Sequence, residues 1–204
     1  MTGPGQSFWQ ERFVAGNLPW DRGGANPQLA SWLADGLLAP GDRVLVPGCG
    51  QGWEVVELAA AGMLATGLDF APGALDLCRN HLERNRCNAE LIEANVLHWQ
   101  PEAPVDAVFE QTCLCALYPD YWTRYAEQLH GWIRPGGRLL ALFMQARKEG
   151  AAEGFIEGPP YHGDIHAMRA IFPATLWDWP KPPYPLVPHH GLQQNELAVV
   201  LTRK

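Results

Sequence analysis

Apolar residues recur along this chain in two rhythms, and the switch between them divides it into elements. Compact apolar runs predict strands at Val44–Val46, Met63–Leu68, Ala89–Glu93, Val105–Phe109, Arg138–Phe143 and Glu196–Thr202. Spacings of three and four predict helices over 52–61, Pro72–Arg86 and about Asp120–Trp132, and Val55, Val56, Leu58 and Ala59 are the inward positions of the first of these. Strand and helix alternate from Arg43 onward, the signature of a parallel sheet covered on both faces. Ahead of that core, residues 7–16 predict a short helix with Ser7 as N-cap, and Phe8, Trp9 and Phe13 share one of its faces. A second helix over 27–38 starts with Asn26 as cap and Pro27 at its first position. The pattern fades after residue 145. His162–Phe172 has helical spacing, and 173–194 reads as a Pro- and Trp-rich loop with room for one strand.

A chain of 204 residues fits one domain, here read as 1–204 with an N-terminal lid and cap region (1–40), a nucleotide-binding core (41–145) and an acceptor-side region (146–204). A domain this size buries about 70% of its unfolded surface and needs no disulfide or structural metal. The formal charge of -7 supplies no basic stripe for nucleic acid and no attraction to anionic lipid. Five cysteines without regular spacing do not form a disulfide scaffold. The N-terminus lacks a basic region followed by an apolar run, and no apolar window reaches the ~18 residues of a membrane span. These features predict a cytoplasmic protein acting on a small molecule, without nucleic-acid or membrane partners, as a monomer or weak dimer.

The candidate chemistry begins at Val46-Pro47-Gly48-Cys49-Gly50-Gln51-Gly52, between the first strand and its helix. Glycines there let backbone N–H groups approach a ligand closely. Asp69 closes the next strand about twenty residues on, where a carboxylate accepts hydrogen bonds from both ribose hydroxyls of a nucleotide cofactor. A dinucleotide fingerprint requires a third glycine at position 53, but that residue is Trp53. Gly48-x-Gly50-x-Gly52 is instead usual in enzymes that use S-adenosylmethionine (SAM). Asn95-Val96, after the third strand, sits where such enzymes hold the adenine edge, and the Arg134-Pro135-Gly136-Gly137-Arg138 turn is another mark of the class.

With these residues in hand, the sequence resembles the thiopurine S-methyltransferase-like proteins, especially their halide and thiol methyltransferase branch. The resemblance spans about 8 to 172 and rests on four segments: Trp9-x3-Phe13 with Pro19-Trp20-Asp21-x-Gly23; the Gly loop with Gly67-Leu68-Asp69; Cys115-Ala116-Leu117-x-Pro119; and Gly158-Pro159-Pro160-Tyr161. It implies a Rossmann-like SAM-dependent methyltransferase fold of class α/β, with a seven-stranded, mostly parallel sheet and an N-terminal helical lid. It also implies roles. Trp9, Phe13 and Trp20 would close over SAM, Gly48 and Gly50 would approach its methionine part, Asp69 its ribose, and Asn95 and Val96 its adenine. Glu110 and Gln111 would stand near the sulfonium, and Tyr161 would contact the acceptor. Asn95 replaces the Asp common in the family, Phe13 replaces a Trp, and Glu110-Gln111 stands where the family places Asp followed by Tyr or Arg.

Aromatic rings attract a sulfonium cation, which gives the lid a physical reason; by composition alone the same rings would anchor a cap helix. Methyl transfer to a thiol needs little base assistance, since a thiol titrates near 8.5 and thiocyanate or iodide is already anionic. The expected activity is therefore methylation of a small thiol, thiopurine, halide or thiocyanate, in detoxification or specialised metabolism. An O- or N-methyltransferase would need a base that the pattern does not supply, and a non-catalytic SAM-binding module is the remaining alternative. A packing role for Tyr161 fits its surroundings as well as a contact role. Cys113-x-Cys115 reads as buried packing, the i, i+4 pair His162 and His166 lacks the Glu of a zinc helix, and His189-His190 reads as a solvated loop pair; no metal is expected.

Overall fold

A computed structural model describes residues 3–204; Met1 and Thr2, which head the segment read for a signal sequence, lie outside the described residues. Two helices come first, α1 (Gln6–Ala15) and α2 (Pro27–Ala34). The core follows as β1 (Arg43–Pro47), α3 (Trp53–Ala60), β2 (Leu64–Asp69), α4 (Pro72–Asn85), β3 (Glu90–Glu93), β4 (Val105–Gln111), α5 (Trp122–Trp132) and β5 (Ile133–Gln145). The chain ends with α6 (Ile165–Ile171), β6 (Trp177–Asp178), β7 (Leu186–His189) and β8 (Gln194–Arg203).

Among the described residues, eight strands join one sheet in the order β3-β2-β1-β4-β5-β8-β6, with β7 also pairing β8. β1 to β5 are mutually parallel, and β8 runs antiparallel to β5. The expectation of seven strands is met in a particular way. β6 pairs the C-terminal end of β8 through Trp177↔Arg203, and β7 pairs its N-terminal end through Leu186↔Leu197, so two short pieces share the seventh position. The single strand expected in 173–194 is therefore two.

Side chains alternate faces along each strand. Leu45, Val108, Leu139, Ala141 and Val199 bury one way against α5 and α6, with Tyr125, Leu129 and Met168 facing them. Val44, Val46, Ala107, Phe109 and Leu140 bury the other way against α2, α3 and α4, through Leu29, Val55, Leu75 and Cys78. Strands covered on both faces read as unbroken apolar runs, which is why the core strands were visible in the sequence.

Differences cluster at element ends. Gly5, not Ser7, occupies the cap position of α1, and no side chain caps it. α2 stops at Ala34 and does not reach residue 38, whereas Asn26 caps it as expected by accepting from the Gln28 N–H. The Arg134–Gly137 turn is an outward bulge inside β5: Val105 pairs Ile133 while Ala107 already pairs Arg138. Arg134 is fastened there to Asp106 by an ion pair of 2.6 Å. α6 begins at Ile165 behind an Asp164 cap, so His162 and His166 do not share a helix.

Candidate active site

The Gly loop leaves β1 at its C-terminal end, where a parallel sheet opens its crevice. Gly48, Gly50 and Gly52 all adopt positive φ. A Cβ on Gly52 would stand 2.0 Å from the Cys78 sulfur, and one on Gly48 would stand 2.9 Å from the Cys113 sulfur. The close contact between elements that a dinucleotide fingerprint assigns to its third glycine is thus made here by Gly52, against α4.

Asp69 ends β2 beneath this loop. Its carboxylate accepts from the Gly50 N–H at 3.0 Å and the Ala71 N–H at 2.9 Å. Burial raises its pKa to about 6 against the lowering effect of those bonds. A carboxylate has about four lone-pair sites, so it retains capacity for two hydroxyl donors. At the end of β3 the chain turns through Asn95, whose Oδ1 accepts from the Leu97 N–H at 2.9 Å, and Val96 is buried behind it.

Helix α1 lies across the loop. Phe13 is buried, and its ring faces Gly50 at 3.6 Å from where a Cβ would stand. Trp20 meets Trp9 edge-on at 5.3 Å and Phe13 at 5.7 Å. Gln10 accepts from the Gly73 N–H at the start of α4. Trp53, the residue that displaced the third glycine, stacks on His81 at 4.0 Å and donates from its indole to Asp21 at 2.9 Å. It thereby ties the Pro19–Asp21 turn to the start of α3.

Together these elements enclose a cleft of about 1550 Å³. Trp9, Phe13, Trp20, Gly48, Gly50, Asp69, Asn95, Val96, Gln111 and Tyr161 all line it, so ten of the eleven residues singled out in the sequence converge on one space. Glu110, expected beside the sulfonium, does not line it. Its carboxylate is buried and accepts from the Leu114 N–H, which fixes the turn after β4, and burial raises its pKa to about 7. Tyr161 is buried against Tyr118 at 5.7 Å, with its backbone N–H donating to the Cys115 carbonyl at 2.7 Å. Its pKa is raised, first by burial. Cys113 and Cys115 are buried with raised pKa values, again chiefly through burial.

Several cleft features escaped the sequence reading. Arg22 lines the wall and pairs with Glu196 at 3.6 Å, while Glu196 also accepts from Asn26 at 3.0 Å and from Gln111 at 3.3 Å. His189 was expected in solvent but is buried at the end of β7, where it too lines the cleft. The available signal was Glu196, a carboxylate at an inward position of an otherwise apolar strand. His190 is exposed, as expected.

A Gly loop with a buried carboxylate on the neighbouring strand end, roofed by aromatic rings over a parallel α/β sheet, defines an S-adenosylmethionine-dependent methyltransferase. The chain belongs to the thiopurine S-methyltransferase family, whose model matches residues 5–178. It is 30% identical over 165 residues to a probable thiol methyltransferase 2 of Arabidopsis thaliana, covering 80% of this chain and 70% of that protein. It is 28% identical over 169 residues to thiocyanate methyltransferase 1 of the same plant, covering 81% and 69%. The fold matches the Burkholderia thailandensis 1,6-didemethyltoxoflavin-N1-methyltransferase, solved with S-adenosylhomocysteine, at a TM-score of 0.75 and 17% identity over 98% of this chain and 87% of that one. Among the described residues, no helix is long and apolar enough to cross a membrane.

Proposed function

We propose that this methyltransferase acts on a small soft nucleophile: a thiol, a thiopurine, or an anion of the halide or thiocyanate type. One observation carries the reading. Beyond the Gly loop, the cleft is walled by Cys113, Cys115, Ala116, Tyr118, Pro159, Pro160 and Tyr161, a soft and largely apolar surface. Glu110, whose pKa burial raises to about 7, is not on that wall, where a base for an alcohol or amine would have to stand. The names of the thiol and thiocyanate methyltransferase relatives support the same class.

Asp69 would accept from the ribose hydroxyls, Gly48 and Gly50 would admit the methionine part, and Asn95 and Val96 would meet the adenine edge. When bound, the cofactor supplies an electrophilic methyl group on a sulfonium. Trp9, Phe13 and Trp20 present aromatic faces to that cation, each contributing about 0.5–2 kcal/mol, and exclude water from the methyl group. Tyr161 would orient the acceptor, and Gln111 would stand between it and Glu196. In-line displacement then depends on positioning more than on proton transfer.

We place the enzyme in the reducing cytoplasm, consistent with five free cysteines. It would work there in detoxification or specialised metabolism as a monomer or weak dimer, without nucleic-acid partners. Incubation with SAM and a panel of thiols, thiopurines, iodide, thiocyanate and tellurite should release S-adenosylhomocysteine with at least one of them. Absence of release from all would refute the acceptor class.

A further inference from the structure

Six buried side-chain nitrogen or oxygen atoms lack a hydrogen-bond partner among the described residues, and two of the side chains that carry them line the cleft: Arg22, through Nη1, and His189, through Nε2. Leaving a buried donor unsatisfied costs about 1–3 kcal/mol, more for a charged group, so two on one wall require a reason.

Neither is loosely placed. The Arg22 side chain is 9% exposed. Its Nη2 donates to the Pro188 carbonyl at 2.8 Å, while Nη1 faces Glu196 at 3.6 Å, too far for a hydrogen bond. His189 is 1% exposed, and its Nδ1 accepts from the Leu192 N–H at 3.2 Å. Nδ1 is therefore unprotonated and Nε2 carries the hydrogen. Burial and the nearby Arg22 charge lower the His189 pKa to about 4, so the ring is a neutral donor.

Glu54 and Glu196 lie near the guanidinium, and Asp21 precedes Arg22 in the chain. Asp21 accepts from the Trp53 indole and from the Gly23 N–H. Glu54 accepts from the Asn26 N–H, and burial raises its pKa. Glu196 is shared with Asn26 and Gln111, and burial raises its pKa to about 8. The Glu196 oxygens are taken by Asn26 and Gln111, and Arg22 Nη1 is left without a hydrogen-bond partner. The location is equally defined. Gln111 ends β4, and Cys113, two residues on, packs against Gly48. The turn at Gly191 packs on the Pro19 and Asp21 carbonyls, which holds β7 to the segment bearing Arg22.

We propose that Arg22 and His189 form an anion-holding subsite where the methionine end of the cofactor meets the acceptor, with Glu196 as the residue that positions Arg22. The ligand chemistry is a carboxylate or a small anion of like charge. Two sources can supply it, the methionine carboxylate of the cofactor or an anionic acceptor. The inference rests on the cofactor class and not on the acceptor panel, so either can fail alone.

Calorimetric titration separates the sources. Arg22→Met and His189→Leu are compared with the unsubstituted protein using S-adenosylhomocysteine, 5′-methylthioadenosine (the same thioether without its amino acid) and thiocyanate added to the S-adenosylhomocysteine complex. The expected result is a roughly tenfold loss of affinity in each variant, the worth of one charge-assisted bond, for S-adenosylhomocysteine or for thiocyanate, with methylthioadenosine unaffected. Loss for the first assigns the subsite to the cofactor carboxylate, and loss for the second assigns it to the acceptor. Arg22→Lys, which keeps the cation, should retain most of the affinity. Unchanged binding of both anions overturns the proposal, and so does an equal loss for methylthioadenosine, which would mark a general disturbance of the cleft.

Discussion

Two residues carry sharply different kinds of constraint. Gly52 has φ of +77°, and a side chain there would collide with the Cys78 sulfur. Gly52→Ala combines left-handed strain of about 1–2 kcal/mol with overpacking of about 1–3 kcal/mol, so a loss near 3 kcal/mol is expected in urea unfolding. Asp69 is constrained by charge. It must be ionised to accept from two hydroxyls, and its pKa stands at about 6 because it is buried. Affinity for S-adenosylhomocysteine should thus be level above pH 7 and fall about tenfold per pH unit below 6, since ligand and proton compete for the same carboxylate. Calorimetry across pH 5–8 measures this. Asp69→Asn should weaken binding and abolish the slope; a slope that survives would remove Asp69 from the role assigned to it.

Elements differ in how they hold their place. α1 is docked by its aromatic face and by Gln10, which accepts from the Gly73 N–H, and the turn after it is held by a second tether, the Trp53 indole to Asp21. Trp53→Phe keeps the ring on His81 and removes the second tether, about 1 kcal/mol. Weaker binding of S-adenosylhomocysteine by about fivefold and faster tryptic cleavage within residues 12–22 are the expected outcomes. The elements legible in the sequence share a property with α1: their signal is local. β1, β2 and β4 announce themselves because both faces are buried, and α2 because Asn26 and Pro27 mark its start. β6 and β7 were indistinct because two to four residues, one of them Pro188, become strand only by pairing with β8. The site divides the same way. The Gly loop, Asp69 and the aromatic lid are short-range patterns, whereas Arg22, Glu196 and His189 meet across more than 160 residues of chain, as the Asn26–Glu196 separation of 170 illustrates. That the Glu110 carboxylate turns to the Leu114 N–H was not legible, because a position at a strand end does not reveal which way a carboxylate turns.

At the scale of the whole molecule, Glu110 and Glu196 tie stability to pH. Both have pKa values raised from 4.5, to about 7 and about 8, chiefly by burial. A carboxylate whose folded pKa is raised contributes stability that is complete below its unfolded pKa and is lost as pH climbs through the folded one. The melting temperature should therefore fall from about pH 5 to about pH 8. Glu196→Gln, which stays neutral, should flatten that decline, by about 2–4 °C for each kcal/mol of linkage removed. Scanning calorimetry on both proteins across this range would show it, and parallel declines would separate Glu196 from the effect.

The divided seventh position of the sheet has a further consequence. One margin is β3, four residues long with Glu90 and Glu93 exposed, and the other is two fragments interrupted by a Pro-rich excursion. Neither margin offers a long, straight row of unpaired backbone groups on which a foreign strand could crystallise. Copies of this protein that associate must then do so through helices or loops, and crowding should leave it resistant to strand-on-strand fibrillation.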